Sequence, residues 1–187
     1  MSRLVRLGRT AQELPREWLG LRPGDKVVEG RPFWVEGSPA RWQGALRDSW
    51  IAARLGEWLE LCGDEESAHR TLTADLVALL SGFGKGKIDL AVLSPRRALE
   101  PFQLEGAVRA LEDARTEGLV GATGLASAGG SLSVLANWRF ADAFDAVAFQ
   151  GGIPEEARAV ASERRSSLVV IEDGEADFLV RFARSGP

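Results

Sequence analysis

The chain has 187 residues, enough for one domain with a single sizeable core. Hydrophobic residues make up 45% and charged residues 27%, the balance of an ordinary globular protein. The net charge of -4 argues against a general nucleic-acid or anionic-membrane binder, either of which normally shows a basic surface.

Cys62 is the single cysteine, so no internal disulfide forms, and one cysteine with one histidine cannot supply a zinc site. No metal site is expected. No stretch approaches the ~18 consecutive apolar residues of a membrane span. The first seven residues are basic but lack the apolar region and cleavage site of a secretory signal. A cytoplasmic protein forming one domain over residues 1–187 is the expectation.

In chain order, residues 1–25 read as an irregular arm punctuated by Pro15 and Pro23, ahead of a βα-repeat body over 26–187. Residues 26–29 and 33–36 read as two strands joined at Gly30-Arg31-Pro32. Residues 39–61 read as a long helix whose Trp42, Trp50 and Trp58 serve packing. The polar stretch 64–70 carries the lone His69, read as a solvated surface histidine, and a helix follows over 71–80.

From Ile88 the pattern becomes regular. The apolar run 88–93 reads as a strand buried on both faces, and 104–117 as a helix with Leu104, Val108 and Leu111 on one side. Gly118 suits the left-handed residue that ends it. Strands over 119–126, 144–149 and 167–171 then alternate with helices over 131–138 and 154–164, and a terminal helix is expected over 175–184. Such alternation implies right-handed crossovers and a parallel sheet. The expected fold is α/β: a partial or shortened TIM-barrel-like βα repeat with a mainly parallel sheet. It has about five βα units where a closed barrel has eight.

Four segments, running through three successive βα units, carry a family resemblance. Ile88-Asp89-Leu90-Ala91-Val92-Leu93-Ser94 resembles the aldo/keto reductase segment I-D-L-Y-L-I-H. Residues 106–118, reading GAVRALEDARTEG, are similar to that family's helix ending in "ALEELVREGK". Gly121-Ala122-Thr123-Gly124-Leu125-Ala126-Ser127 stands where the family has "VRAIGVSN", and residues 144–150 match its next strand, which ends near a glutamine. The resemblance spans roughly residues 71–173.

The resemblance implies a reductase barrel but not its reaction. That chemistry needs a tyrosine acid, a lysine and an aspartate that tune it, and a histidine that orients the carbonyl. This chain has no tyrosine, and Ser94 stands at the histidine position. Where the family's serine and asparagine hold the nicotinamide carboxamide, the chain has Ala126 and Ser127. Gln150 stands where the family's glutamine touches the nicotinamide ring. On this reading the chain ends before the barrel strand that leads to the loop gripping the adenosine phosphate. No cofactor is expected; NADP, held by Ser127 and Gln150, is the alternative.

Two glycine pairs, Gly129-Gly130 and Gly151-Gly152, follow strands and precede helices, at the strand ends where α/β folds bind ligands. Their alternatives are tight βα turns or a cradle of backbone N–H groups for a small anion. Gly82-Phe83-Gly84-Lys85-Gly86-Lys87 lies between a helix and a strand, so it reads as a helix-end turn, not a phosphate loop. Glu36, Ser94, Arg96, Ser127, Gln150, Glu172 and Asp173 are expected at the same sheet end, with Ser94, Arg96 and the four loop glycines as candidate ligand contacts.

The reading that follows is a non-catalytic, aldo/keto-reductase-like domain that works by binding a protein or a small ligand. The alternatives are an enzyme of another reaction class built on the strand-end loops and a nicotinamide-binding oxidoreductase-like protein. An incomplete barrel leaves apolar sheet edges, so a homodimer or a tight partner complex is expected.

Overall fold

A computed structural model describes residues 11–13, 32–35, 50–126, 130–150, 153–164, 166–173 and 178–183. Among the described residues eight strands form one sheet in strict chain order: β1 (Ala11–Glu13), β2 (Pro32–Val35), β3 (Trp50–Leu55), β4 (Ile88–Leu93), β5 (Val120–Leu125), β6 (Ala146–Gln150), β7 (Ser167–Asp173) and β8 (Phe178–Ala183). The six strands β2 to β7 run parallel, and an antiparallel strand flanks them on each side. Four helices connect or follow the strands: α1 (Glu65–Phe83), α2 (Pro101–Thr116), α3 (Ser131–Phe140) and α4 (Glu155–Arg164). This is the α/β, TIM-barrel-like βα repeat expected from the pattern.

The core sits between sheet and helices. Ala91 and Leu93 of β4, Leu125 of β5 and Val147 and Phe149 of β6 join one buried cluster with Leu72, Leu104, Leu111, Val134 and Trp138 from the helices. Trp138 packs against Phe149, ring centroids 6.3 Å apart. Side chains alternate across a strand, so Leu90, Val92, Ala146 and Ala148 lie on the other face. They too are buried. Burial on both faces explains why β4, but for Asp89, and β6, up to Gln150, read as apolar runs.

The helix ends follow local chemistry. Asp64 accepts the Ser67 backbone N–H at 2.6 Å while the Ser67 hydroxyl oxygen accepts the Asp64 N–H at 3.2 Å, a reciprocal cap that starts α1. Pro101 occupies the first turn of α2. Gly118, at φ 76°, takes the left-handed conformation after α2, and Gly84 does so after α1, which makes the 82–87 glycines a helix-end turn.

Several expectations are corrected. The helix over 39–61 is replaced, within the described residues, by β3 and a short 3-10 helix, Leu59–Leu61. Ile51, Ala52 and Ala53 are all buried, and consecutive buried residues suit a central strand better than one stripe of a helix. α1 begins at Glu65, so His69 lies inside a helix. Its Nε2 pairs with Asp113 Oδ2 at 2.9 Å, bridging α1 and α2, where a solvated histidine was expected.

Residues 178–183 form β8, not a terminal helix, and pair antiparallel with β7. Phe178, Leu179, Val180 and Phe182 supply the aromatic and branched side chains that favour a strand. The arm over 1–25 contributes β1. Both edges of β2 are taken, by β1 and β3; the strand expected at 26–29 lies outside the described residues.

Candidate functional site

Three strands end side by side. Leu55 of β3 is in register with Leu93 of β4, and Leu93 with Leu125 of β5. The ladder continues one step further: Ser94 donates its N–H to Leu55 O at 2.9 Å, and Ala126 donates to Leu93 O at 2.8 Å. Ser94 is thereby fixed at the strand-end row, 8% exposed. Its hydroxyl can donate or accept one hydrogen bond at this rim, but it is no general acid at ordinary pH.

The turn after β3 brings a second group to the same rim. Gly56 sits where a Cβ would stand 2.8 Å from both Leu59 Cδ1 and Leu93 Cδ1. Those leucine ends can give way, but the backbone at Gly56 has φ 80°, the left-handed region that favours glycine. The Gly56 N–H is held by Asp75 of α1, whose Oδ2 accepts it at 3.0 Å. Burial pushes the Asp75 carboxyl above its ordinary range; that hydrogen bond opposes the shift, and the neighbouring Glu57 carboxylate adds to it.

Arg96 follows Ser94 on the next loop. It forms an ion pair with Glu57 and lies over the Trp58 ring, its guanidinium carbon 4.5 Å from the ring centroid. Such a stack contributes about 0.5–1 kcal/mol at an exposed position. The guanidinium expected as an anion clamp is therefore neutralised by Glu57 and held against an aromatic face. Arg97 donates to the Glu60 carbonyl at 3.4 Å. The result is a rim carrying Trp58, about half exposed, beside Leu61, 73% exposed, and a paired arginine.

Trp58 and Glu57 were missed at this site because residues 39–61 read as one helix. The signal was Leu55-Gly56-Glu57, a glycine directly after an apolar run, which marks a βα turn as well as Gly129-Gly130 does.

Gly130 precedes α3 at φ 91° and ψ 177°, and a Cβ there would meet nothing within 4 Å. The glycine is required by its backbone conformation, a region only glycine enters freely, and not by crowding. Gln150 is the last residue of β6, in register with Ile171 of β7; its side chain is outside the described residues. Glu172 and Asp173 lie within β7, opposite Leu179 and Phe178 of β8. Glu36, Ser127, Gly129, Gly151 and Gly152 lie outside the described residues. The structure thus joins Ser94 and Arg96 with Gly56, Glu57 and Trp58.

Among the described residues no group of three His, Cys, Asp or Glu side chains could hold a metal ion, and no helix is long and apolar enough to cross a membrane.

No protein-family model matches the sequence, and comparison with curated proteins finds no match. Solved structures do match. The aldo-keto reductase AKR11C1 from Bacillus halodurans, in its holo form, superposes with a TM-score of 0.55 at 19% identity, covering 71% of this chain and 45% of that one. The apo form of the same enzyme gives a TM-score of 0.54 at 18% identity. An aldo-keto reductase from Klebsiella pneumoniae, solved in complex with NADPH, gives 0.50 at 15% identity, over 70% of this chain and 46% of that one. The chain spans less than half the length of these enzymes, and over some 70% of its own length it has the aldo-keto reductase fold.

Proposed function

We propose that this chain is a non-catalytic, aldo-keto-reductase-like domain that acts by binding, with the strand-end rim around Ser94 and Trp58 as its contact surface. The carrying observation is chemical: no tyrosine occurs anywhere in the 187 residues, and a buried serine occupies the strand end that resembles the family's histidine position. The rim supports the reading from the other side. Its cation is already paired with Glu57, while an exposed tryptophan and leucine offer apolar area. Tryptophan and arginine together are the composition of binding hot spots.

The test is a reductase assay with NADH and NADPH against a panel of aldehydes and ketones, followed by melting curves with nucleotides and sugar phosphates. The expected result is no turnover above the protein-free control. A bound ligand raises the melting temperature because it binds only the folded state. Turnover that disappears in Ser94→Ala or Gln150→Ala would overturn the reading.

A further inference from the structure

A groove runs along the outer helix layer, built from residues other than those of the strand-end rim. Two adjoining concavities of about 310 and 400 Å³ share Val108, Glu112, Asp142 and Ala143, so they form one continuous furrow between α2 and the loop joining α3 to β6. Its apolar floor includes Leu104, Val108 and Ala143, and Phe140, the last residue of α3, stands at its edge 69% exposed. The furrow is apolar at the end beside Phe140 and polar toward Thr123 and Asp145, so the exposed ring extends its apolar end.

The charges along the furrow fall into two classes. Every cation is committed within the fold. Arg109 is held by Glu65 at 2.7 Å and Glu66 at 2.6 Å, and Arg115 by Asp145 at 3.4 Å. Arg164 donates to the carbonyls of Trp138, Ala141 and Arg139, and lies 3.8 Å from Asp142. Two acids are not committed. Among the described residues neither Glu105 nor Glu112 has an ion-pair partner, and both are exposed. They stand seven residues apart on α2, two turns and about 10 Å along the same face.

We infer that this furrow docks a segment of a partner protein that presents one apolar anchor to Phe140 and two basic side chains spaced two helical turns apart. The apolar floor takes the anchor, and Glu105 and Glu112 receive the cations. The lining arginines Arg109, Arg115 and Arg164 are all held by partners of their own. A negatively charged segment, or a small anion, meets the wrong sign. This inference concerns a surface separate from the rim, so its failure leaves the reading of Ser94 and Trp58 untouched, and the reverse holds too.

The experiment uses the full chain and a fluorescein-labelled helical peptide with a central leucine and two lysines spaced two turns apart. Binding is followed by fluorescence anisotropy. A matched peptide with glutamates in place of the lysines is the comparison. The lysine peptide is expected to bind and the glutamate peptide not. Glu112→Lys and Phe140→Ser are each expected to weaken binding by about tenfold, the scale of losing one anchor at a contact. Glu156→Lys makes the same change in net charge on α4 and is expected to leave binding unchanged; circular dichroism checks that each variant is folded. Equal binding of both peptides, or equal weakening by Glu112→Lys and Glu156→Lys, would overturn the inference. A concentration-dependent dimer in light scattering that Phe140→Ser dissolves would also overturn it, by assigning the furrow to a second copy of the chain.

Discussion

Gly106 of α2 lies directly against the first turn of α1: a Cβ at position 106 would stand 2.2 Å from the carbonyl oxygen of Glu65. Alanine is the better helix former by ~1 kcal/mol, so an exposed site would gain from the change. Here the contact is with backbone, which cannot rotate away. Overpacking of this kind costs ~1–3 kcal/mol, and it outweighs the helix gain. Gly106→Ala is expected to lower the urea midpoint, and an unchanged or higher midpoint would show that α1 and α2 can move apart freely.

Trp138 has no exposed surface, and among the described residues its indole N–H has no hydrogen-bond partner. Its contribution is therefore volume against Phe149 and the sheet. Trp138→Ala is expected to cost ~3–5 kcal/mol in denaturant unfolding. Trp138→Phe keeps most of the ring and forfeits no hydrogen bond, so it should cost clearly less. Equal costs for the two would show that ring volume at this position does not carry the stabilisation.

The Ser67 backbone N–H and hydroxyl, in that order, hold the Asp64 carboxyl below its ordinary value of 3.8. A depressed carboxyl stabilises the fold above its unfolded value, and that stabilisation is lost as the pH falls through the folded one. Asp64→Ala is expected to melt lower than the parent at neutral pH, with the gap closing under acid conditions. A gap that stays constant down the acid range would mean the carboxylate charge plays no part in the cap.

Asp75 has the opposite sign. Burial first, and the Glu57 charge second, raise its carboxyl above 3.8. The folded state then holds its proton more tightly than the unfolded chain, so stability declines as the pH rises from 3.8 through the folded value. Asp75→Asn can still accept the Gly56 N–H and carries no charge to bury. Relative to the parent, its melting temperature should improve as the pH rises through this window. A parallel pair of curves would remove Asp75 as a titrating group.

Much of the architecture was legible in residue pattern. β4 was visible because a strand largely buried on both faces leaves a mostly apolar run, broken in it only by Asp89, and α2 because Leu104, Val108 and Leu111 keep helical spacing. β3 was hidden because Ala52, Ala53, Arg54 and Leu55 are all good helix formers, and the glycine that follows them can end a helix as well as open a βα turn. β8 was hidden for a related reason: acidic residues at 175 and 177 resemble a helix start, and only the ladder to β7 decides otherwise.

The rim was legible in part. Ser94 and Arg96 follow visibly from the strand that precedes them. The state of Arg96 does not, because its partner Glu57 is 39 residues earlier, and no local pattern announces a pairing at that range. Asp75 was unreadable for the same reason: an acid on a helix looks solvated until a distant N–H is found above it.

The strict chain order of the sheet bears on how the molecule is made. Each ladder joins a strand to its successor, with paired residues separated by no more than about 40 positions, so no pairing must wait for a remote part of the chain. A chain leaving the ribosome can add β4 to β3, close α1 over both, and then receive β5 on the edge just created. During synthesis the growing edge is the newest strand, and the next strand to emerge is the one that covers it.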